Sequence, residues 1–290
     1  MAEENWGRWG AADERGALNL IGAEQVRHAA SLVRQGRSIS LAQPIFERMM
    51  NSPHRTRPAH FMRRDNADNA PASRHAGGFQ FAEDTVVLPL HVGTHIDCLC
   101  HVWTDDRLFN GFPGNGVRSS GALRLGADKL PPIVTRGVLL DFVAIKGRPC
   151  ADGESIGVDL VVEACKRAGT DIRPGDAVLL RTGWYEAHEA ARRSDFNREP
   201  GIDVPAALLL AEAGAAVVGA DNFAVEVLPF PDGPAFPVHQ RLIRDYGIPL
   251  LEGLVLAPLA EAGARDFLFM AAALPIVGGT GSPLTPVAVL

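Results

Sequence analysis

His91-Val92-Gly93-Thr94-His95-Ile96-Asp97-Cys98-Leu99-Cys100-His101 follows directly on the apolar run Thr85-Val86-Val87-Leu88-Pro89-Leu90. This short stretch holds three imidazoles and a carboxylate, the ligand types that suit zinc, manganese or iron. Side chains of an extended backbone alternate between two faces. A strand here therefore directs His91, His95 and Asp97 to one side, with Gly93 between them. Gly93 puts no side chain on that face and leaves room for an ion or a substrate beside the backbone. A helix would also align His91 with His95, but Gly93 and Thr94 are poor residues for a helix interior. A lone histidine on a strand is ordinarily a packing or surface residue. Three of them joined by an aspartate of matching parity point to a metal site.

The chain has 290 residues, 47% hydrophobic and 21% charged, a globular balance that can bury a sizeable core. Its formal net charge of −6 argues against the basic face of a nucleic-acid binder. Arg63-Arg64 and Arg192-Arg193 are isolated pairs that suit a solvated surface. Met1-Ala2-Glu3-Glu4-Asn5 has neither the basic start nor the apolar stretch of a secretory signal. Val204 to Ala220, the longest apolar candidate, carries Glu212 and suits a buried helix rather than a membrane span. Four cysteines do not make a disulfide framework in this length. A cytoplasmic, reduced protein with no nucleic-acid or membrane partner is expected. Cys98 and Cys100 fall on the face opposite Asp97 and read as small packing residues.

Strands and helices alternate along the chain without a break in composition, which predicts one mixed α/β domain over 1–290. Helical periodicity runs from Ile21 to Gly36, Val158 to Ala168, Pro205 to Ala213 and about Val238 to Tyr246. Strands are predicted at Ser38–Ala42, Val134–Val143, Ala177–Trp184, Ala216–Asp221, Leu250–Glu252 and Phe267–Ala271. Pro229, Pro231, Pro234 and Pro237 mark a loop ahead of the last helix. Residues 1–20 form an N-terminal arm, in which Trp6 and Trp9 need cover from the chain's own body, a neighbouring subunit or a binding cleft. Residues 48–78 lack sustained periodicity and read as a long loop or lid. His54, His60 and His75 lie there without ligand spacing and read as surface residues. Gly278-Gly279-Thr280-Gly281-Ser282 is closed by Pro283 without a lysine, so it is a structural turn and not a phosphate cradle. The absence of Gly-x-Ser-x-Gly argues against a serine hydrolase.

The pattern His91-x-Gly93-Thr94-His95-x-Asp97-x-x-x-His101 resembles the signature of the metal-dependent cyclase family, which includes bacterial kynurenine formamidase and isatin hydrolase. Leu274-Pro275-Ile276-Val277-Gly278-Gly279-Thr280-Gly281-Ser282-Pro283 resembles that family's ending. With Asn5-Trp6-Gly7 and the Glu252 region, the likeness spans nearly the whole chain. It implies a swivelling β/β/α architecture, a mixed sheet with barrel-like curvature and flanking helices. It also implies His91, His95 and Asp97 as metal ligands, Asp97 able to bridge two ions, and His101 as general acid/base. His239 and Glu252 would complete a second metal position. The interval between them is one residue longer than in the short formamidases, which leaves Gln240 as the alternative to His239. One or two Zn2+ or Mn2+ ions and a homodimer or homotetramer are expected on the same ground.

A divalent ion lowers the pKa of bound water towards about 7. A histidine, with an intrinsic pKa of about 6.5, can take the proton and return it to a leaving nitrogen. The expected reaction is hydrolysis of an amide or cyclic amide C–N bond, of an arylformamide or isatin-like substrate. Lactone hydrolysis or cyclisation is the related alternative, and a non-catalytic metal- or ligand-binding protein of the same fold is the other. Structural zinc sites favour Cys-rich sets, and this set is rich in His and carboxylate. Trp6, Trp9, Phe79 and Phe109 are the candidate contacts for an aromatic small-molecule substrate.

Overall fold

Strands covered on both faces carry unbroken apolar runs, and Gly137-Val138-Leu139-Leu140 is such a run, buried throughout. It lies at the middle of the fold. A computed structural model describes residues 5–70, 75–191, 196–230 and 233–290. Pro231 and the pair Arg192-Arg193 lie outside the described residues. In chain order the first strands are Ser38–Ser40 (β1), Ala59–Arg64 (β2), Glu83–Val87 (β3), His95–Asp97 (β4), Val117–Arg118 (β5), Gly121–Ala122 (β6) and Ile133–Asp141 (β7). Ser155–Ile156 (β8), Ala177–Arg181 (β9), Gly201–Ile202 (β10), Val217–Ala220 (β11), Leu250–Glu252 (β12), Asp266–Ala271 (β13), Gly281–Pro283 (β14) and Val287–Val289 (β15) follow. The helices are Ala23–Ala30 (α1), Phe142–Lys146 (α2), Val158–Ala168 (α3), Trp184–Ala191 (α4), Val204–Glu212 (α5), Pro237–His239 (α6) and Ala257–Glu261 (α7).

Nine strands form one mixed sheet in the order β1-β15-β13-β7-β9-β11-β12-β4-β14. The central β7, β9, β11 and β12 run parallel, while β13, β15 and β1 on one side and β4 and β14 on the other are antiparallel to their neighbours. The sheet curls strongly into a half-barrel flanked by helices, the cyclase-like architecture that the sequence implied. Alternation along each strand sorts its side chains into two cores. Val138, Leu140, Val178, Leu180 and Val218 pack under Val161 and Ala164 of α3 and Ala207 and Leu210 of α5. Leu139, Leu179, Val217 and Leu251 face the other way, onto Phe267, Phe269, Ile39 and Ile96.

Local chemistry explains where the elements stop. The apolar run Ala177–Trp184 is a strand only to Arg181, because the N–H groups of Thr182 and Gly183 donate to the Asp221 carboxylate at 2.9 and 2.7 Å instead of to a ladder. Trp184 then opens α4. The helix predicted from Ile21 to Gly36 ends at Ala30, where the Ser31 hydroxyl donates to the His28 carbonyl at 2.6 Å. Asp203 caps α5 by accepting from the Ala206 N–H at 2.9 Å, and Pro205 sits in the first turn, where no N–H is needed. The helix predicted at Val238–Tyr246 begins one residue earlier as α6 and widens into a π-helical stretch, Gln240–Asp245.

The stretch 48–78, expected as a long loop or lid, carries a strand of its own. It contains β2, which pairs with β3 as an antiparallel ribbon from Ala59↔Val87 to Met62↔Asp84. The two-residue alternation that signals a strand needs one buried face, and this ribbon has none along β3. Phe61, Met62, Phe79, Val86 and Val87 are all exposed on it or beside it.

The N-terminal arm is fastened to its own chain. The Trp6 indole N–H donates to the Arg244 carbonyl at 2.8 Å, with the Arg244 guanidinium over its ring, and the Asn5 amide donates to the Tyr246 carbonyl. Trp9 also packs partly buried on the first core. Of the three covers open to these tryptophans, the structure shows the chain's own body.

Candidate metal centre

β4 is wedged between β12 and β14, so two neighbours present side chains to each of its faces. His95 stands opposite Glu252, and Asp97 opposite Leu250 on one side and Gly281 on the other. Ile96, of opposite parity, goes into the second core with its partner Leu251. One face of this short strand is therefore imidazole and carboxylate, and the other is hydrocarbon. His95, Asp97 and Glu252 are 0%, 1% and 2% exposed.

Three further histidines close on this group. His239, at the end of α6, puts Nε2 3.2 Å from Glu252 Oε1 and 3.7 Å from Asp97 Oδ2. Its Nδ1 meets Glu226 Oε1 at 2.5 Å, and the same carboxylate accepts the N–H groups of Val238 and His239 at 3.1 Å each. Glu226 thus fixes both the start of the helix and the ring that leaves it. Gln240, the alternative ligand, is turned away: its carboxamide accepts from Thr104 at 2.9 Å and donates to the Ala235 carbonyl at 2.7 Å.

His91 reaches the cluster by a different route from the one expected. It belongs to the irregular stretch before β4, not to a strand, and Gly93 bends that stretch at φ +57°. This left-handed conformation is what calls for glycine; the Met49 methyl, 2.7 Å from where a Cβ would lie, ends a flexible side chain that could move aside. His91 Nδ1 lies 2.6 Å from Asp97 Oδ1 and Nε2 lies 3.0 Å from the Thr280 hydroxyl. The turn read as structural, 278–282, therefore also positions a candidate ligand. A Cβ on Gly281 would come within 2.5 Å of the His91 ring, which is why β14 offers no side chain there. His101 leaves the turn after β4, stacks on His91 with centroids 4.1 Å apart, and puts Nε2 3.9 Å from Asp97 Oδ2.

The charges are strongly coupled. Burial alone would lift the Asp97 carboxyl, but His101, His91 and His95 overcome it and hold it well below the usual carboxylate range. Burial and the charge of Asp97 push Glu252 up, and bonds from His239 and His95 bring it below its ordinary value. Burial pulls His239 down, yet Glu226 and Glu252 hold it up at about 10. Burial dominates at His101 and lowers it to about 4, so its ring is neutral at pH 7. Cys98 and Cys100 lie behind this face in the first core, where burial raises the first thiol well above its ordinary value and the second to about 12. They are protonated packing residues, as expected, but not by parity: β4 stops at Asp97, and they join the first core while Ile96, of the same parity, joins the second.

Two groups of atoms are close enough to hold a cation: His91, Asp97 and His101, and His95, Asp97 and Glu252. Asp97 belongs to both. His95 Nδ1 is committed to the Gly93 carbonyl at 2.9 Å, which leaves Nε2 directed at the carboxylates. That Nε2 is 3.1 Å from Glu252 Oε2 but off the line of a hydrogen bond, and it is buried without a bonding partner. Asp97 Oδ2 is likewise buried and unbonded. Burying such atoms without a partner costs roughly 1–3 kcal/mol each, and a divalent cation accepts both of them. The residues present fit a metal.

The cluster opens into a cleft of about 620 Å³. Phe196, Phe223, Phe230 and Phe236 line it, together with Ser52, Pro53, His54 and Arg55. Phe223 lies stacked 6.4 Å from His95, and Phe236 meets His239 edge-on at 5.2 Å. The aromatic side chains at this cleft are not the ones singled out from sequence. Phe109 is fully buried against Gly247, Phe79 stacks on Phe81 in the exposed ribbon region, and Trp6 and Trp9 cover the chain's own surface. None of the four lines the cleft. His54 does, while His60 pairs with Asp84 at 2.7 Å on the exposed ribbon and His75 stands beside Phe79. Glu199, which sequence reasoning passed over, is buried in the cleft wall, where it accepts the Phe223 N–H at 2.8 Å and burial raises it to about 8.

Residues 39–227 match the family described as "Putative cyclase", and the chain belongs to that family. A solved structure of a novel cyclase is 34% identical, with 99% of each chain covered and a TM-score of 0.90. Isatin hydrolase A from Labrenzia aggregata, bound to benzyl benzoate, is 19% identical over 90% of this chain and 96% of its own, with a TM-score of 0.66. An isatin hydrolase bound to the product analogue thioisatinate is 19% identical over 93% and 99%, with a TM-score of 0.67. Comparison with curated proteins finds no match. No helix among the described residues is long and apolar enough to cross a membrane.

Metal uptake should release protons at pH 8, since His239, held at about 10, must lose its proton to present Nε2 as a ligand. Raising the pH towards 10 should therefore strengthen binding. Calorimetric titration of Zn2+ or Mn2+ in buffers of different ionisation enthalpy measures this, and a heat independent of buffer would contradict it.

Proposed function

We propose that this chain is a metal-dependent hydrolase that cleaves an amide or cyclic amide C–N bond of an aromatic substrate, of the arylformamide or isatin type. The observation that carries this reading is the convergence of His91, His95, Asp97, His239 and Glu252 at the base of an aromatic cleft, with His95 Nε2 and Asp97 Oδ2 buried and unbonded. Imidazole and carboxylate donors suit both Zn2+ and Mn2+, and Asp97, which belongs to both groups of ligand atoms, would be the ligand common to them if two ions were held.

When bound, such a cation supplies Lewis acidity towards a carbonyl oxygen and makes water a stronger acid. The chain's own residues do the rest. Asp97 and Glu252 would offset the charge of such an ion, while Glu226 and the Gly93 carbonyl orient His239 and His95, and Thr280 holds His91. His101 is the most exposed histidine of the cluster after burial is compared, 29% against 13% or less for the others. It is neutral, and its Nε2 accepts a proton from the attacking water. Hydroxyl oxygen adds to the carbonyl carbon, the C–N bond breaks, and the His101 proton goes to the departing nitrogen. The products are an amine and a carboxylate. The phenylalanines of the cleft offer faces and edges to an arene.

Metal-loaded protein should hydrolyse isatin or N-formylkynurenine, and His101→Ala should keep its metal by elemental analysis while kcat falls about 10²–10⁴-fold. Unchanged kcat in the variant would contradict the base assignment. Failure of the loaded wild type on amides, imides and lactones alike would favour a binding protein of the same fold.

Self-association belongs to the same reading. The five apolar side chains exposed at the β2–β3 ribbon support a homodimer or homotetramer. Light scattering should show an oligomer for the wild type and a smaller species for Phe61→Asp with Val87→Asp; a monomeric wild type, or an unaltered variant, would oppose it.

A further inference from the structure

Arg55 is the charge in this cleft that the proposed mechanism leaves without work. It sits in a turn between Met49 and β2 that is fastened on both sides: its N–H donates to the Ser52 carbonyl at 3.0 Å, and the Asn51 amide donates to the Thr56 carbonyl at 3.1 Å. The turn lies against the stretch leading into β4, where the Met49 methyl covers Gly93. From there the guanidinium crosses to the His91 carbonyl, to which Nη1 donates. Its charge is felt at His95 and at Glu199. Arg55 is half-buried and lines the cleft that contains His101, His239 and Glu252.

A guanidinium carries five N–H donors in a planar fork, and the His91 carbonyl takes one of them. No carboxylate among the described residues stands within ion-pair reach of Arg55. The acids nearby are already engaged: Asp97 and Glu252 with the imidazoles, Glu226 with His239, and Glu199 with the Phe223 N–H. Arg55 therefore lines the same cleft as the phenylalanines without an ion-pair partner among the described residues, and with N–H donors to spare. Half-buried arginines in this condition match carboxylates, whose two oxygens take the fork in parallel.

We propose that Arg55 binds a carboxylate carried by the substrate, which makes the substrate class an aromatic acid whose amide or cyclic amide bond faces the metal cluster. This deepens the hydrolase reading and rests on it for the reaction, but the recognition itself is a binding property. The arene lies among Phe196, Phe223, Phe230 and Phe236, and the acid group points to the turn at 52–55.

The test compares two fluorescent ligands of one shape, 2-aminobenzoate and its neutral counterpart 2-aminobenzamide, titrated into the metal-loaded full chain. Wild type should bind the acid about tenfold to a hundredfold more tightly than the amide, the range that a charge-assisted pair supplies. Arg55→Met should remove that difference while leaving affinity for the amide unchanged. Arg55→Gln, which keeps a donor for the His91 carbonyl and loses the charge, carries the same comparison if the methionine variant does not fold. Three results overturn the proposal: a wild type that does not distinguish the ligands; a preference that persists in both variants, which puts the carboxylate on the metal; and equal weakening of both ligands, which makes Arg55 a support for His91. Because the readout is binding, failure to hydrolyse any amide bears on the proposed reaction and leaves this result standing.

Discussion

Burying carboxylates is expensive unless something cationic comes with them, and this fold depends on having done so. Asp97 and Glu252 lie diagonally across β4 and β12, almost wholly out of water, on the same face of neighbouring strands. Four imidazoles surround them, and two of the atoms that face inward have no hydrogen bond. Nearly every local feature of the region serves that arrangement. Gly93 supplies the bend and Gly281 the room, Glu226 and Thr280 hold rings in place, and the hydrocarbon of Ile96 and Leu251 anchors the opposite face.

The parallel strands explain why the site can be this crowded. β7, β9, β11 and β12 pack both faces with apolar side chains and supply the rigid wall against which β4 is laid antiparallel. Covalent neighbours could not bring His91, His239 and Glu252 together; the sheet register and α6 do. The cleft above is built from segments that connect the strands, where side chains are free to vary without disturbing the sheet.

Much of this was legible in the sequence, and the reasons are specific. Apolar runs buried on both faces announced β7, β9, β11 and β12, and the 3.6-residue period gave α3 residue for residue. The spacing from His91 to His101 marked the metal cluster because chemistry-bearing residues recur there at matching parity. His91 still joined the cluster by a turn and not by the extended strand that parity presumes. The aromatic cleft was not legible: Phe196, Phe223, Phe230 and Phe236 recur at no regular spacing and lie far from the histidine motif in sequence, and only the fold brings them to it. Phe109 shows the converse, an aromatic near the motif in sequence that is spent on the core. Glu226 was within reach, since an acid inside Ala224-Val225-Glu226-Val227-Leu228 carries the same signal of a buried carboxylate that drew attention to Glu252. The ribbon of β2 and β3 was hidden because a strand exposed on both faces leaves no alternation to read.

Metal stoichiometry tests the central claim most directly. Elemental analysis of protein produced with ample Zn2+ and Mn2+ should find one or two ions per chain in the wild type and none in Asp97→Ala, with both chains folded by circular dichroism. A wild type that carries no divalent ion, or an alanine variant that retains its full complement, would contradict the account.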